Sequence, residues 1–292
     1  MKREFTVMDD SEGLKLGVFL RSRCAMSLAL IRSLKCIEGG ISVEGKNVHT
    51  SYIVRVGERV SVDVPDGECT LSPCHLLVPI VFEGADAIVY DKPAGMAVHP
   101  TRGYPDGTLA NVYAALLLAR NESGCFRPIN RLDKNTSGLV LAAKNRYAAP
   151  LLAKSAAKHY IALAEGIIDR RSGVIEAPIA LAQGTIIGRC VSEDGLPSVT
   201  RYTVLERLRG HTLLDVETLT GRTHQIRVHL SHIGHPLAGD DLYGGSCEHI
   251  ARHALHCVSL SFCQPSDAEM TTLRSRLPED MRTLIDSLRQ ND

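Results

Sequence analysis

The sequence predicts an α+β protein in which a small α/β module precedes a large, mostly antiparallel mixed β-sheet with flanking helices. Short apolar or alternating segments separated by short turns dominate the chain after residue 80, as is typical of strands. Few segments have a helical period, and they do not alternate regularly with strands, which argues against βαβ units. A stretch at 65–79, which contains three prolines and one glycine and has no hydrophobic period, separates the two patterned regions.

Composition favours a cytoplasmic protein without a membrane partner. The N-terminus lacks the apolar segment of a signal peptide, and no apolar run is long enough to cross a bilayer. The 9 cysteines are scattered without a C-x-x-C pair, which argues for a reducing compartment and against a disulfide framework or a structural zinc site. The net charge of zero does not by itself favour nucleic acid as a partner.

Residues 1–64 are predicted to form the small module, and 65–79 a partly extended linker. A strand and an acidic turn come first, and Leu14–Cys36 is helical in pattern, with Ser27 as the N-cap of a second helix. Alternating apolar residues then predict strands at 41–43 and 60–64.

Residues 80–292 are predicted to form the large domain. Its expected helices are 109–120 and 147–158. Its expected strands are 80–83, 87–91, 139–143, 160–164, 199–204 and 212–219. The segment Leu139–Ala143 is apolar throughout and reads as a strand buried on both faces.

Asp133 lies in a polar loop directly before that buried strand, a position where chemistry is often found. The loop is locally basic: 120–158 contains eight basic residues and two acidic ones. A nearby arginine would keep the carboxylate ionised. The plainer interpretation is that Asp133 starts the turn that ends at Gly138.

A second polar stretch runs from Gly221 to Leu230. Thr223 is predicted to cap a short helix that ends at Gly234, and Arg222 precedes the helix N-terminus, where an anion is favoured. Arg227, on the first turns of this helix, could reach Asp133 and pair with it.

Four histidines follow or belong to this stretch and raise the alternative of a metal-dependent hydrolase: His224, His229, His232 and His235. No carboxylate or thiol stands at a companion spacing, and H-E-x-x-H is absent, so no metal is expected. Phosphate-binding and dinucleotide-binding glycine motifs are also absent, so we expect no cofactor.

Seven segments, taken in order, resemble those of the RluA-type pseudouridine synthases: Asp91–Gly95, Arg131–Gly138, Lys158–Tyr160, Ser198–Tyr202, Gly221–Arg227, Gly234–Gly244 and His253–His256. The likeness runs from about Ile80 to the region of Leu288. Residues 14–64 resemble the RNA-binding domain named after ribosomal small-subunit protein four, although the second helix is poorer in basic residues than is usual.

The resemblance implies an enzyme that isomerises uridine in RNA to pseudouridine without a cofactor. It implies that Asp133 is the catalytic aspartate, as nucleophile or base, that Tyr160 packs against the base, and that Arg227 pairs with Asp133. Arg131 would fill the place of the flipped nucleotide. Further RNA contacts are expected from Asn130, Lys134, Thr136, Arg222, His224 and Gln225.

The implied substrate is large-subunit ribosomal RNA first and transfer RNA second, acted on by a monomer. Many members of the family have histidine where this chain has Asn130, so we expect altered contacts at that position. A non-catalytic RNA-binding protein on the same scaffold is the alternative.

Overall fold

A computed structural model of the chain describes residues 2–266 and 268–289. The outer limits of the two predicted domains, residues 1 and 292, lie outside the described residues. The helices are α1 (Leu16–Ser22), α2 (Leu28–Lys35), α3 (Leu109–Arg120), α4 (Ala148–Ser155), α5 (Gln225–His232) and α6 (Glu279–Arg289). The strands are β1 (Lys2–Thr6), β2 (Ile41–Val43), β3 (Lys46–Asn47), β4 (Arg59–Asp63), β5 (Ile80–Glu83), β6 (Ala87–Lys92), β7 (Arg127–Pro128), β8 (Ser137–Ala143), β9 (Ala157–Glu165), β10 (Ser172–Glu176), β11 (Ile179–Leu181), β12 (Arg189–Val191), β13 (Val199–Leu208), β14 (His211–Thr218), β15 (Leu255–Cys263) and β16 (Met270–Arg274).

The N-terminal segment folds as a small sheet covered by two helices. Its strands lie in the order β1-β4-β2-β3, and α1 and α2 pack on them around an apolar core. Ser27 caps α2, because its side chain accepts a hydrogen bond from the backbone N–H of Leu30 at 3.1 Å. That cap confirms the predicted start of the helix, whereas the RNA-binding role of the segment stays a prediction.

The large sheet has ten strands and confirms the predicted fold class. Its main path is β10-β13-β14-β9-β15-β8-β6-β5, with β16 paired to β15 and β7 paired to β8. Among the described residues, the pairing of β15 with β8 is the one parallel contact in this sheet. The polar loop that contains Asp133 enters the sheet at β8, near its centre.

The contact between β8 and β15 requires a glycine. Gly138 has a φ of 110°, and a Cβ atom at this position would lie 2.3 Å from the carbonyl oxygen of Cys257. The residues of β8 are all buried, as the apolar segment predicted. The strand therefore gives the Asp133 loop a rigid support.

One predicted helix needs correction, and several strands were missed. The helix expected at 147–158 ends at Ser155, because from Ala157 onward the chain pairs with β15 as the start of β9. Strand β15 was not predicted at all, although it lies between β9 and β8. Its residues Leu255–Cys263 mix buried and polar positions, and long-range pairing decides their structure.

The segment 65–79 contains no helix or strand and lies against the large domain. The backbone N–H of Cys74 donates to the carbonyl of Asn111, whose side chain donates to the carbonyl of Ser72. The N-terminal segment also contacts the large domain, since Arg3 pairs with the buried Asp86 and lies 4.3 Å from the ring centre of Tyr147. Within the described residues, no helix is long and apolar enough to span a membrane.

Candidate active site

A cavity of about 550 Å³ opens where the loop before β8, strand β9 and the start of α5 meet. The lining includes the three predicted catalytic residues, Asp133, Tyr160 and Arg227. Residues far apart in sequence therefore converge on one site, as the resemblance implied. Their catalytic roles stay predictions.

Arg227 joins Asp133 to a second, fully buried carboxylate. Its Nη1 donates to Oδ2 of Asp133 at 3.1 Å, which confirms the predicted pairing. Its Nε and Nη2 donate to the two carboxylate oxygens of Asp240 at 2.8 and 2.7 Å. Burial alone would lower the pKa of Arg227, but the two carboxylates outweigh it and raise that pKa. The guanidinium is thus a fixed positive charge that orients Asp133.

The Asp133 loop is held by hydrogen bonds at both ends. The side-chain amide of Asn130 donates to the carbonyl of Leu139 at 3.0 Å and accepts from the N–H of Leu141 at 2.8 Å. At the other end, the N–H of Thr136 donates to the carbonyl of Asp133 at 3.1 Å. A turn does start at Asp133, but its backbone carbonyl closes it at Thr136, and Gly138, where the plainer interpretation ended the turn, lies inside β8.

Three residues expected to contact RNA line the cavity but use their polar atoms within the protein, and their contact with RNA stays a prediction. Gln225 is 4% exposed, and its side-chain amide makes four hydrogen bonds within the protein. Its oxygen accepts from Thr220 and Arg222, and its nitrogen donates to Val199 and Thr200. Thr136 is buried and bonds His253 at 2.8 Å, and Asn130 is turned toward β8. Buried groups whose polar atoms are already bonded have little left to offer a ligand.

The other expected RNA contacts lie at the surface of the cavity. Arg131 and Arg222 are exposed, and Lys134 is half-buried with its ammonium 3.7 Å from the ring centre of Tyr104. His224 also borders the cavity, and its Nε2 lies 3.8 Å from Oδ2 of Asp133. These four residues keep the predicted assignment.

The predicted cap of α5 is wrong. The helix begins at Gln225, and its N-cap is His224, with a left-handed φ of 57°, rather than Thr223. The reason is Gln225, whose Oε1 accepts from the N–H of Arg222 and the hydroxyl of Thr220 at 3.0 and 2.8 Å. The side chain of Gln225 fixes the turn before the helix, and the chain changes direction at His224, which adopts the left-handed conformation.

Tyr160 presents a neutral aromatic ring to the cavity. It lies on β9, and burial, with smaller contributions from Cys257 and Asp133, raises the pKa of its hydroxyl well above the usual range. The hydroxyl therefore stays protonated at neutral pH. A ring of this kind suits stacking on a base.

Two buried residues of the site were missed from the sequence. Asp240 holds Arg227, as described above. Lys92 is 1% exposed, and its ammonium donates to the carbonyls of Pro93, Met96 and Lys134 at 2.8, 2.8 and 3.2 Å. Burial lowers the pKa of Lys92 to about 7, with Asp133 opposing the shift. Both lie in motifs that carried the resemblance, but neither motif revealed what the side chain would touch.

The histidines of α5 do not converge. His229 is buried, with Nδ1 on the hydroxyl of Thr200 at 2.8 Å and Nε2 on the carbonyl of Ala177 at 2.9 Å. In the part of the chain that the structure describes, no group of three or more histidine, cysteine or acidic residues could hold a metal ion. The geometry gives no support to the hydrolase alternative.

The stability of the protein should fall in acid because of His253. Burial, and then the nearby Arg227 and Arg252, lower the pKa of His253 from 6.5 to about 2. Between these values the unfolded chain binds a proton that the folded one does not, so the free energy of unfolding falls as the pH drops below 6.5. Where the unfolded chain binds one proton more than the folded chain, the free energy of unfolding falls by about 1.4 kcal/mol for each pH unit.

Urea unfolding between pH 7 and 5 measures this dependence. His253→Gln should reduce the slope of stability against pH by roughly that amount, whereas His249→Gln, at an exposed position, should keep the wild-type slope. Equal slopes for the wild type and His253→Gln would contradict the assignment.

Comparison with known proteins identifies the family. The model of the family described as RNA pseudouridylate synthase matches residues 86–232. An uncharacterized RNA pseudouridine synthase of Bacillus subtilis, YlyB, is 38% identical over 266 residues, covering 87% of each chain. Ribosomal large subunit pseudouridine synthase D of Pseudomonas aeruginosa is 36% identical over 278 residues, covering 87% of this chain and 85% of the relative.

A solved structure agrees with this result. Human RNA pseudouridylate synthase domain containing 1 matches with a TM-score of 0.56 and 26% identity, over 74% of this chain and 96% of that one. The chain belongs to the RNA pseudouridylate synthase family. It is an RNA pseudouridine synthase, an isomerase that modifies RNA, and the predicted enzyme class is confirmed.

Proposed function

We propose that the protein isomerises specific uridines in large-subunit ribosomal RNA, by flipping the nucleotide into the cavity and acting on it with Asp133. The single observation that carries the proposal is the carboxylate of Asp133, held by Arg227 at 3.1 Å inside a cavity of about 550 Å³. The bond from C1′ of the ribose to N1 of uracil breaks, and a bond from C1′ to C5 forms. The proton leaves C5, and N1 gains one.

The residues of the cavity suit these steps. A carboxylate oriented by a permanent cation can act at the ribose as nucleophile or as base. The protonated Tyr160 offers a ring for the detached uracil to stack on while it turns. A base inside a helical stack cannot reach the recessed carboxylate, which supports flipping.

Arg131→Ala should impair flipping while leaving the chemistry in place. Arg131 is exposed at the rim, two residues before Asp133, where a long cation could occupy the gap left in the RNA and contact phosphate. We expect kcat/KM to fall by roughly tenfold to a hundredfold, a loss of about 1.4 to 2.7 kcal/mol of transition-state stabilisation. Fluorescence of 2-aminopurine beside the target uridine would report the loss of flipping.

A matched control is Arg102→Ala, which removes an exposed arginine that does not line the cavity. It should keep both the fluorescence change and the rate. If the Arg131→Ala variant flips the target uridine as well as the wild-type protein does, Arg131 does not have this role.

The choice of ribosomal RNA rests on the relatives. Proteins called ribosomal large subunit pseudouridine synthase D from Xanthomonas campestris, Pseudomonas aeruginosa and Yersinia pestis are 33%, 36% and 35% identical to this chain. We also propose that residues 1–64 bind RNA. Arg32 and Lys35 are exposed on α2 and supply positive charge there.

Mapping pseudouridine in RNA from cells with and without the gene tests the substrate. We expect one or a few pseudouridines to disappear from large-subunit ribosomal RNA and to return when the wild-type gene is restored. Loss confined to transfer RNA would replace the substrate proposed here with the second candidate. Complete retention of every pseudouridine would favour a non-catalytic RNA-binding role.

A further inference from the structure

His224 lies between Asp133 and a tyrosine from another part of the chain. Its Nε2 is 3.8 Å from Oδ2 of Asp133, and its Nδ1 is 2.6 Å from the hydroxyl of Tyr243. That hydroxyl accepts a hydrogen bond from the backbone N–H of Arg189 at 3.0 Å. A continuous chain of polar contacts therefore runs from the backbone of the first residue of β12 to the carboxylate in the cavity.

The neighbours of His224 select one of the two neutral forms of its ring. If Nδ1 carried the proton, the lone pair of Nε2 would face the carboxylate of Asp133, and the two would repel each other. With the proton on Nε2, the ring presents a donor to Asp133, and Nδ1 accepts the proton of the Tyr243 hydroxyl. The Arg189 contact leaves that hydroxyl proton available for Nδ1.

The surroundings also keep the ring neutral. Burial lowers the pKa of His224, and Arg227 and Arg189 act in the same direction, whereas Asp133 and Asp240 oppose them. His253 also interacts electrostatically with His224, and it is itself neutral, with its pKa lowered to about 2 by burial. A neutral ring has one donor and one acceptor nitrogen, so the tautomer determines whether His224 presents an N–H group or a lone pair to Asp133.

The backbone holds His224 in place for this contact. Its left-handed φ of 57° is uncommon for a residue with a side chain and is retained only when its surroundings require it. Tyr243 packs its ring edge against His224, with ring centres 5.6 Å apart, and lies 4.9 Å from the guanidinium of Arg227. Tyr243 thus touches both residues that approach Oδ2.

We infer that Tyr243 is a positioning residue that fixes the tautomer of His224, so that Nε2–H faces Asp133. Arg227 then binds Oδ2 while the Nε2–H of His224 points toward it from 3.8 Å, and Oδ1 is the oxygen that reacts with the uridine. Among the described residues no group donates a hydrogen bond to Oδ1. This inference rests on the proposed role of Asp133.

Nitrogen-15 NMR of the histidine rings tests the tautomer directly. The signals of His224 are assigned by their absence from His224→Asn, since asparagine tolerates the left-handed backbone. We expect the wild-type protein to carry the proton on Nε2 at pH 7. In Tyr243→Phe, where Asp133 alone still favours Nε2–H, we expect a larger share of the Nδ1–H tautomer and a higher pKa for His224, because the bond to Nδ1 favours the neutral ring.

Kinetics of the same variants test the consequence. Tyr243→Phe should lower kcat roughly fivefold with little change in KM, the size expected for one lost hydrogen bond. Tyr90→Phe is the matched control, because Tyr90 is buried in the core away from the cavity and its hydroxyl has no partner among the described residues. It should keep the wild-type kcat and the wild-type signals of His224.

An Nδ1–H tautomer in the wild-type protein, or a wild-type kcat in Tyr243→Phe, would overturn the inference. The NMR measurement needs no RNA, so it separates this result from the proposed function. A wild-type protein that forms no pseudouridine would remove both proposals. An active wild type with an unaffected Tyr243→Phe would remove this one alone.

Discussion

Asp133→Asn should abolish the formation of pseudouridine by the purified protein. The amide keeps the shape of the side chain but is neither a nucleophile nor a base at neutral pH, so the reaction loses the group that acts on the ribose. We expect kcat to fall by at least about a thousandfold. Liquid chromatography of nucleosides from digested RNA, which separates uridine from its isomer, measures the product.

The fold should survive this change, because Arg227 keeps its paired bonds to Asp240. Asp215→Asn is a suitable control, since Asp215 lies on β14 of the same sheet and forms a partly exposed pair with His159. That variant should keep the wild-type rate. A fully active Asp133→Asn protein would refute the assignment of Asp133.

Arg227→Met should destabilise the protein and inactivate it together. Asp240 has a fully buried carboxylate, and Arg227 supplies its paired hydrogen bonds at 2.8 and 2.7 Å. Removing one partner of a buried pair leaves the other charge uncompensated, at a cost of about 3–5 kcal/mol in the free energy of unfolding. Asp133 would also lose the donor that orients it, so kcat should fall.

Urea unfolding measures the stability of this variant against a matched pair at the surface. Arg201 pairs with Glu217 at 3.4 Å with more than half of its side chain exposed, so Arg201→Met should cost about 0–1 kcal/mol. A cost for Arg227→Met as small as that for Arg201→Met would mean that the buried pair does not hold the site.

Local patterns in the sequence account for much of the fold. The apolar run Leu139–Ala143 lies within β8, and the helical segment Leu109–Arg120 coincides with α3, because both depend on neighbouring residues in the sequence. Strand β15 escaped prediction because its identity depends on pairing with β9 and β8, which are distant in sequence. The prediction that α4 extends beyond Ser155 was wrong for the same reason.

The site could be predicted where the charge of a residue and its place in the chain indicated which partner it would bind. An aspartate before a buried strand and an arginine on a short helix suggested the pair that Asp133 and Arg227 form at 3.1 Å. What Asn130 and Gln225 do was not predictable, because polar residues in a motif serve a ligand or the local backbone equally well. The buried positions of Asp240 and Lys92 depend on packing that only the folded chain defines.

The most direct test of the account is a crystal structure of Asp133→Asn bound to RNA that contains the target uridine. The account predicts that the uridine leaves its stack, that its uracil lies on the ring of Tyr160, and that C1′ lies about 3–3.5 Å from the side chain of residue 133, the separation of a reactive complex. A uridine that remains stacked, or that binds with C1′ far from residue 133, would contradict it.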